Sequence, residues 1–359
     1  MSIKKVIITI TGIRPDFIRM SEIFRRLDRD KNIDHILIHT GQHYDELLSD
    51  IFFKDLDIRQ PDYNLEIGGA GKKHYYQQAE LGPKIIEVIE KNNLKPDIIL
   101  FLGDSNSVLA SVPLKKEGYK IGHIEAGMRS YDDRMLEEIN RKVCDHVSDL
   151  LFVYHENYKQ KALREGISED KICVIGNTIV EPLCKLADLN TPKSNKHILL
   201  DIHRPENFKY KDRMEKILNY ANFCVSKFQL PVQMLSFNRT MEAIHKYNLD
   251  LGKIVVTPLM GYKYFIKAQQ ESKFIISDSG TAQEEPALLD IPVIVPRDFT
   301  ERPESVENNC SFMLNLGAQN HQSASIKWLN SDRRCSVEWL GRGDTSEKVL
   351  SFLKHWNEK

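Results

Sequence analysis

The chain has 359 residues, of which 41% are hydrophobic and 28% are charged. This composition argues against disorder, and the length predicts two domains rather than one core. The 50 basic and 51 acidic residues give a formal net charge of −1, which gives no reason to propose nucleic acid or a membrane as partner, so any anion site must be local.

The chain begins with a short apolar stretch, residues 6–10, that follows two lysines. A signal peptide needs a longer apolar segment, and here the charged Arg14 and Asp16 follow almost at once. No apolar run approaches the ~20 residues that span a bilayer. The stretch therefore predicts a first buried strand, and the expected location is the cytoplasm.

Short apolar runs rich in β-branched residues alternate with helix-period segments through the first half. Strands buried on both faces and separated by helices indicate a parallel sheet wound by crossover connections, as in a Rossmann-type domain. The strand candidates are 6–10, 35–39, 98–102, 121–124, 150–153 and 172–175, and the helical candidates include 17–27, 75–90 and 136–147.

The second half repeats this design. Its strand candidates are 198–200, 232–235, 254–256, 274–276 and 293–295, and its helical candidates include 213–228, 263–270 and 283–289. The polar segment 189–196 separates the two halves. The sequence thus predicts an α/β protein with two Rossmann-like domains facing across a cleft. The expected parts are an N-terminal domain (1–188), a nucleotide-binding domain (189–340) and a C-terminal helix that packs back on the first domain (341–359).

The six cysteines form neither a Cys-x-x-Cys pair nor a zinc-ligand set with histidine, so no metal site is expected. We interpret them as small apolar residues that are buried or half-buried. They are Cys144, Cys173, Cys184, Cys224, Cys310 and Cys335.

Polar residues follow the strands, where ligands bind in open parallel sheets. Gly12 lets a ligand approach the backbone and Arg14 suits bidentate phosphate binding, although on this stretch alone a surface charge explains Arg14 better. The stretch is not Gly-x-Gly-x-x-Gly, so it does not support nicotinamide or flavin binding.

Carboxylates follow two further predicted strands, 98–102 and 121–124. If the strands that precede Asp104 and Glu125 are neighbours, the two side chains converge, and paired carboxylates suit acid–base chemistry. The alternative for Asp104 is a helix cap near Ser107. Glu137 and Glu138 open a helix, where one acidic residue is explained by the helix dipole.

The second half has a histidine and a small-residue segment after its strands. His203 titrates near neutrality and suits acid–base chemistry, although a lone histidine is more often a satisfied polar group. Ser279 and Gly280 precede a predicted helix whose free N–H groups suit a diphosphate, and Glu285 suits the hydroxyls of a ribose. Arg302 adds a second candidate phosphate clamp.

Taken together, the motifs resemble the non-hydrolysing UDP-N-acetylglucosamine 2-epimerases. The resemblance spans residues 12–305, and two of its stretches, FFKDLDIRQPDYNL and RSYDDRMLEEINR, are similar to the branch acting on UDP-2-acetamido-2,6-dideoxy-L-hexoses, the L-pneumosamine/L-rhamnosamine type. The motifs are GIRPDFIRMS, HTGQHYD, FFKDLDIRQPDYNL, GDSNS, HIEAGMRSYDDRMLEEINR, IGNT, HRPENF, SDSGTAQEE and TERPES.

This resemblance implies a GT-B-like fold, a homodimer, a UDP-sugar substrate and neither a metal nor a redox cofactor. It implies that UDP is eliminated to a 2-acetamidoglycal and then added back, with inversion at carbon 2. The implied role is nucleotide-sugar biosynthesis for a surface polysaccharide or glycan. The implied catalytic residues are Asp104, Glu125, Glu137 and His203, the UDP- and substrate-binding residues are Arg14, Arg19, Arg141, Ser279, Gly280, Glu285 and Arg302, and a possible second, activating UDP-sugar would meet Gln42 and His43.

Departures from the family pattern concern the pocket more than the reaction. Leu136 stands where a proline is usual, Asp201 and Ile202 replace a glycine-containing turn, and Thr281 replaces a second glycine. Three other readings remain open. They are a hydrolysing relative that releases free sugar, a GT-B glycosyltransferase and a catalytically silent UDP-sugar sensor.

Overall fold

The computed structural model describes residues 4–41, 50–68, 73–132, 134–189, 191 and 193–356. The chain forms two compact units, one made of Met1–Pro182 with Leu340–Lys359 and the other of Leu183–Trp339. Each unit is a parallel β-sheet flanked by helices. The predicted α/β fold with two Rossmann-like domains is therefore confirmed, while the cleft between them stays a prediction.

The sheet of the first unit is built mainly from the predicted apolar runs. Its strands are β1 (Lys5–Thr11), β2 (Ile33–His39), β3 (Tyr63–Asn64), β4 (Ile98–Leu102), β5 (Ile121–Ala126), β6 (Leu150–Val153) and β7 (Ile172–Val174). Within the described residues the order is β3-β2-β1-β4-β5-β6-β7, with every pair parallel. Strand β3 was not predicted, because two residues carry no readable periodicity.

The second sheet follows the same plan. Its strands are β8 (His197–Asp201), β9 (Val232–Leu235), β10 (Val255–Thr257), β11 (Ser272–Ser277), β12 (Val293–Val295) and β13 (Ser311–Met313). Their order in the described part of the chain is β10-β9-β8-β11-β12-β13. Strand β13 was not predicted, since it is short and only partly apolar. In both sheets the order reverses beside the first strand of the unit, so the loops after β1 and β4, and after β8 and β11, lie at a topological switch point.

Helices cover the faces of both sheets. They are α1 (Arg14–Arg29), α2 (Asp50–Asp55), α3 (His74–Lys91), α4 (Ser111–Lys116), α5 (Glu137–Val147), α6 (Glu156–Arg164), α7 (Val180–Leu186), α8 (Pro205–Phe208), α9 (Lys211–Phe228), α10 (Asn238–Tyr247), α11 (Tyr262–Gln270), α12 (Glu285–Leu288), α13 (Pro303–Glu307), α14 (His321–Leu329) and α15 (Thr345–His355). None of these helices is long and apolar enough to cross a membrane.

The helix predicted over 283–289 was too long. The structure has a 3₁₀ turn at Thr281–Gln283 and then the short helix α12. Pro286 has no backbone N–H, so it cannot continue a hydrogen-bonded ladder from the preceding turn.

The final helix, α15, belongs to the first unit. It packs along α1, and its Phe352 ring meets Phe152 of β6 edge-to-face, with the ring centroids 5.8 Å apart. Val349 and Leu353 are buried, and Lys5 at the start of β1 donates to the carbonyl oxygen of Leu353 at 2.9 Å.

The structure corrects the interpretation of the cysteines in two respects, a disulfide that was not predicted and one side chain that is exposed. Cys310 and Cys335 form a disulfide across 25 residues of sequence, with their Cα atoms 5.2 Å apart. The segment around Ser336 lies against the chain before β13, where its N–H donates to Asn308, and this places the two Cα atoms within bridging distance. Cys184 is exposed rather than buried.

Candidate active site

The turn after β1 holds a buried carboxylate. Asp16, in the first turn of α1, accepts the N–H groups of Gly12 at 2.7 Å and Ile13 at 3.1 Å. Burial raises the pKa of Asp16 to about 7, although the two N–H donors act to lower it. The charges of Asp104 and Glu125 add to the rise. Asp16 was not among the site residues predicted from the sequence, although an acidic residue at the third position of a helix is a typical cap signal.

Gly12 has no room for a side chain. A Cβ atom there would collide with the hydroxyl of Ser107 in the loop after β4. The end of β1 and the loop after β4 are therefore in direct contact. Arg14, the first residue of α1, is half-buried and lies over the ring of Phe52, with its guanidinium carbon 5.1 Å from the ring centroid.

Asp104 follows β4 and forms an ion pair with Arg141 of α5. Its backbone carbonyl also accepts the side-chain N–H of Asn140 at 2.8 Å. The capping alternative fails, because Ser105 takes the cap position of the 3₁₀ segment Asn106–Ala110 and no side-chain cap bond is formed. The Asp104 side chain remains 21% exposed, so it can still meet a ligand.

Glu125 lies on β5, the strand beside β4, and Asp104 follows β4. β4 and β5 are parallel neighbours, with Leu102 paired to Ile124. Glu125 has a φ of 71° in the left-handed region, and the strand register is irregular there. A non-glycine residue in this conformation is strained, which is common at functional sites.

The carboxylate of Glu125 is deeply buried and held from two sides. Arg19 of α1 lies 2.9 Å away, and the Tyr154 hydroxyl donates to it at 3.2 Å. Tyr154 also hydrogen-bonds to Thr178. Neither Tyr154 nor Thr178 was predicted as part of this site, because Tyr154 lies in no motif and the IGNT motif, which ends at Thr178, does not reveal which side chain Thr178 meets.

The structure distinguishes the two glutamates that open α5. Glu138 is 1% exposed, and its oxygens accept the backbone N–H groups of Ser130 at 2.9 Å and Tyr131 at 3.2 Å. It therefore holds the loop after β5. Glu137 is only half-buried. Arg141, one turn further, is buried and lies 3.6 Å from Glu138 in addition to its pair with Asp104.

In the second unit, His203 follows β8 beside two aspartates. Its Nδ1 lies 2.9 Å from Asp201 and 3.7 Å from Asp278. Burial lowers the pKa of His203, but the two carboxylates outweigh it and raise the pKa above the usual value. Asp278 also accepts the backbone N–H groups of His203 and Arg204. The turn after β8, which lacks a glycine, is therefore fixed by the Asp278 side chain.

Ser279 and Gly280 follow β11 in a crowded turn. A Cβ at Gly280 would collide with the guanidinium of Arg302. That guanidinium lies 2.7 Å from Glu284 and 2.7 Å from Glu301, both fully buried. The structure thus brings Arg302 against the Ser279–Gly280 turn, as a cation already balanced by carboxylates.

Glu285, the candidate for ribose binding, is also engaged. Its oxygens accept the Tyr262 hydroxyl at 2.9 Å and the Gln269 side-chain N–H at 2.8 Å. These two bonds fix the position of the Glu285 carboxylate at the start of α12.

Two further predictions concern a second UDP-sugar and a metal ion. Gln42 and His43 lie outside the described residues, so a second UDP-sugar site there stays a prediction. Within the described ranges no group of three or more His, Cys, Asp or Glu side chains could hold a metal ion.

The comparisons with known proteins agree with this geometry. A family model described as UDP-N-acetylglucosamine 2-epimerase matches residues 25–354. The UDP-N-acetylglucosamine 2-epimerase of Methanococcus maripaludis is 36% identical, with 96% of this chain and 97% of that protein covered. The chain belongs to the UDP-N-acetylglucosamine 2-epimerase family.

Two further members of this epimerase family show its range. The UDP-2,3-diacetamido-2,3-dideoxy-D-glucuronate 2-epimerase of Pseudomonas aeruginosa is 32% identical, with 97% of this chain and 99% of that protein covered. The crystal structure of the Methanocaldococcus jannaschii UDP-GlcNAc 2-epimerase, in complex with UDP-GlcNAc and UDP, is 33% identical with a TM-score of 0.89 over 98% of this chain and 99% of that one. The predicted membership of this family is confirmed, and the protein is an isomerase of the 2-epimerase type.

Proposed function

We propose that this epimerase inverts carbon 2 of a UDP-N-acetylhexosamine by eliminating UDP to a 2-acetamidoglycal and adding it back. The observation that carries the proposal is the pair of carboxylates at the carboxyl ends of the neighbouring strands β4 and β5. Asp104 and Glu125 extend from neighbouring strands, and an arginine from a flanking helix is paired with each of them. Such a pair suits proton transfer beside a departing anion.

The exposure of the carboxylates supports a division of roles. A proton beside an acetamido carbon is weakly acidic, so its removal needs a carboxylate that reaches the sugar. Asp104 and Glu137 are partly exposed and therefore share the proton transfers. Glu125 is 4% exposed, which fits a residue that tunes the others. His203 holds the acetamido group or the departing UDP.

The remaining residues bind UDP. Arg14, Ser279, Gly280 and Arg302 would hold the diphosphate, and Glu285 would accept the ribose hydroxyls. Arg19 and Arg141 lie at the carboxylates themselves, where they stabilise charge during elimination. The contact between Arg302 and the Gly280 turn supports a shared phosphate site in the second unit.

The substrate is either a UDP-2-acetamido-2,6-dideoxy-L-hexose or the pair UDP-GlcNAc and UDP-ManNAc. The first class would include conversion of UDP-L-RhaNAc to UDP-L-QuiNAc, or of UDP-L-PneNAc to UDP-L-FucNAc. The support for it is the similarity of two sequence stretches to that branch, and the support for the second is the names of the relatives. Either reaction belongs to nucleotide-sugar biosynthesis for a surface polysaccharide or glycan. A homodimer belongs to the same proposal and rests on the sequence resemblance. A cytoplasmic location also belongs to it and rests on the interpretation of residues 6–10 as a first buried strand.

One experiment tests both the reaction and the substrate. The protein is incubated with a panel of UDP-N-acetylhexosamines in deuterated water, and the products are followed by NMR. We expect deuterium at carbon 2 of one substrate pair, with UDP still attached. Free sugar with released UDP would instead indicate the hydrolysing reaction. Absence of exchange with every substrate would overturn the proposal.

A further inference from the structure

A histidine lies inside the sheet of the first unit, close to the candidate carboxylates. His123 is on β5, two residues before Glu125, between Phe101 of β4 and Leu151 of β6. Its side chain is fully buried. The roles proposed above for the reaction do not use it, and a fully buried titratable ring inside a sheet requires an explanation.

Both ring nitrogens of His123 face hydrogen-bond acceptors. Nε2 lies 2.7 Å from the backbone carbonyl oxygen of Gly103, and Nδ1 lies 2.6 Å from an Asp145 carboxylate oxygen. A backbone carbonyl and an ionised carboxylate accept hydrogen bonds and cannot donate them. A ring bonded to both must therefore carry a proton on each nitrogen, which makes it an imidazolium.

The surrounding charges support the same state. Burial disfavours a charged ring, but the Cys144 sulfur and the Asp145 carboxylate raise the pKa of His123 well above its usual value. Asp145 also lies 2.8 Å from Arg129, which is paired in turn with Glu165. The cluster contains the anions Asp145 and Glu165 and the cation Arg129. Its net charge is zero only if His123 is the second cation.

This buried cluster touches the backbone of three segments that carry candidate catalytic groups. Gly103 immediately precedes Asp104. Gly127, two residues after Glu125, donates its N–H to Asp145 at 3.0 Å. Asp145 itself lies on α5, the helix that begins with Glu137. The cluster therefore fixes the spacing between the loops after β4 and β5 and the start of α5.

We propose that His123, as a buried imidazolium, is a positioning residue for the epimerisation, because it ties the Asp104 and Glu125 loops together through Gly103 and Asp145. The proposal rests on the catalytic roles given above. Misplacing a reacting group by about 1 Å can cost about 100-fold in rate. Loss of the cluster should therefore lower kcat far more than it raises KM.

His35 provides a matched control. It is also buried in the first sheet, with Nδ1 2.6 Å from Asp28 and Nε2 2.9 Å from the Thr9 hydroxyl. Asp28 and Thr9 belong to α1 and β1, and neither lies in the segments that carry the candidate carboxylates. Substitution of His35 therefore breaks a comparable buried pair without touching the proposed positioning cluster.

The test compares His123→Gln with His35→Gln on the UDP-sugar that the wild-type enzyme converts. Both N–H groups of glutamine are on a single nitrogen, so it can replace the donor to Gly103 or the donor to Asp145, which are two separate ring nitrogens in His123. We expect kcat to fall about 100-fold in His123→Gln with KM changed less than about threefold, and kcat to stay within about threefold in His35→Gln. Equal losses of kcat in the two variants would overturn the inference while leaving the proposed function intact.

A second measurement needs no variant. Nitrogen-15 NMR of the histidine-labelled wild-type protein reports how many ring nitrogens of His123 carry a proton. We expect both to be protonated at pH 8, and a singly protonated ring at that pH would overturn the inference even if His123→Gln fails to fold. A wild-type protein that converts no UDP-sugar would overturn the proposed function, and the positioning role with it.

Discussion

The guanidinium of Arg19 lies 2.9 Å from the carboxylate of Glu125, and both side chains are about 95% buried. A buried ion pair contributes little net stability, but removal of one partner is costly because the remaining charge loses compensation inside the protein. Arg19 lies on α1 and Glu125 on β5, so the pair joins the first helix of the unit to the candidate catalytic strand.

The first prediction follows from this pair. We expect Arg19→Gln and Glu125→Gln each to lower the free energy of unfolding by about 3 kcal/mol, since each leaves one buried charge without its main partner. The double variant, which has neither charge, should lose at least about 1 kcal/mol less than the sum of the two single losses. Urea denaturation of the four proteins measures this coupling, and strictly additive losses would contradict it.

The second prediction separates neighbouring glutamates. Glu137→Gln should lower kcat by about 100-fold or more, because a general acid–base group is lost, and should lower the free energy of unfolding less than Glu138→Gln does, because the Glu137 side chain is only half-buried. Glu138→Gln should instead lower stability by about 1–3 kcal/mol, because the backbone N–H groups of Ser130 and Tyr131 lose a charged acceptor.

Turnover assays and urea denaturation of the two glutamate variants give the comparison. Each variant serves as the control for the other, since both change Glu to Gln in the same turn of α5. A large stability loss with normal turnover in Glu137→Gln would reverse the assignment and place the catalytic group elsewhere.

The sequence predicted the parts of the site that depend on chain position alone. A buried parallel strand ends where its apolar run ends, so Asp104 and His203 were correctly placed after strands, whereas Glu125 lies one residue before the end of β5. The contacts between these residues and their partners could not be predicted. The Arg19–Glu125 pair depends on where α1 lies over the sheet, and the Tyr154 contact depends on the rotamer of a residue 29 positions away.

Other features carry too little local signal. Strand β3 has two residues and β13 has three, which is too short for a period-2 pattern. The Cys310–Cys335 disulfide depends on the distance between two Cα atoms, which spacing in the sequence does not reveal. His123 did have a signal, because a histidine within a fully buried strand must satisfy two ring nitrogens.

The third prediction concerns the pH dependence of turnover. Burial lowers the pKa of His203, and the charge of Arg204 lowers it as well. Asp201 and Asp278 outweigh both effects and raise the pKa above its usual value. If the protonated ring binds the departing UDP, kcat/KM falls as the pH rises through this raised pKa. Asp201→Asn removes the closest negative charge, so the descending limb should move to lower pH.

Ser277→Ala is the control for Asp201→Asn. Ser277 donates to the other oxygen of Asp201 at 2.9 Å, so its loss perturbs the same pair but leaves the carboxylate charge in place. We expect its descending limb to move much less than that of Asp201→Asn. A limb that stays in place in Asp201→Asn would show that His203 does not set the pH profile.

The fourth prediction concerns Asp16, whose pKa is raised by burial from 3.8 to about 7. A carboxyl with a raised pKa in the folded state binds its proton more tightly there than in the unfolded chain. Its contribution to stability is therefore fully present below about pH 4 and is lost as the pH rises to 7. Asp16→Asn cannot ionise, yet its amide oxygen can still accept the N–H groups of Gly12 and Ile13.

The stability of Asp16→Asn relative to wild type should therefore increase with pH, by roughly 2–4 kcal/mol between pH 4 and pH 8. Asp16→Ala also removes the ionisation but leaves two buried N–H groups without their acceptor, so it should be less stable than Asp16→Asn by about 1–3 kcal/mol at every pH. Urea denaturation of the three proteins at pH 4, 6 and 8 measures both effects. A difference between Asp16→Asn and wild type that does not change with pH would mean that Asp16 titrates alike in the folded and unfolded chain, and that burial at the end of β1 does not hold its proton.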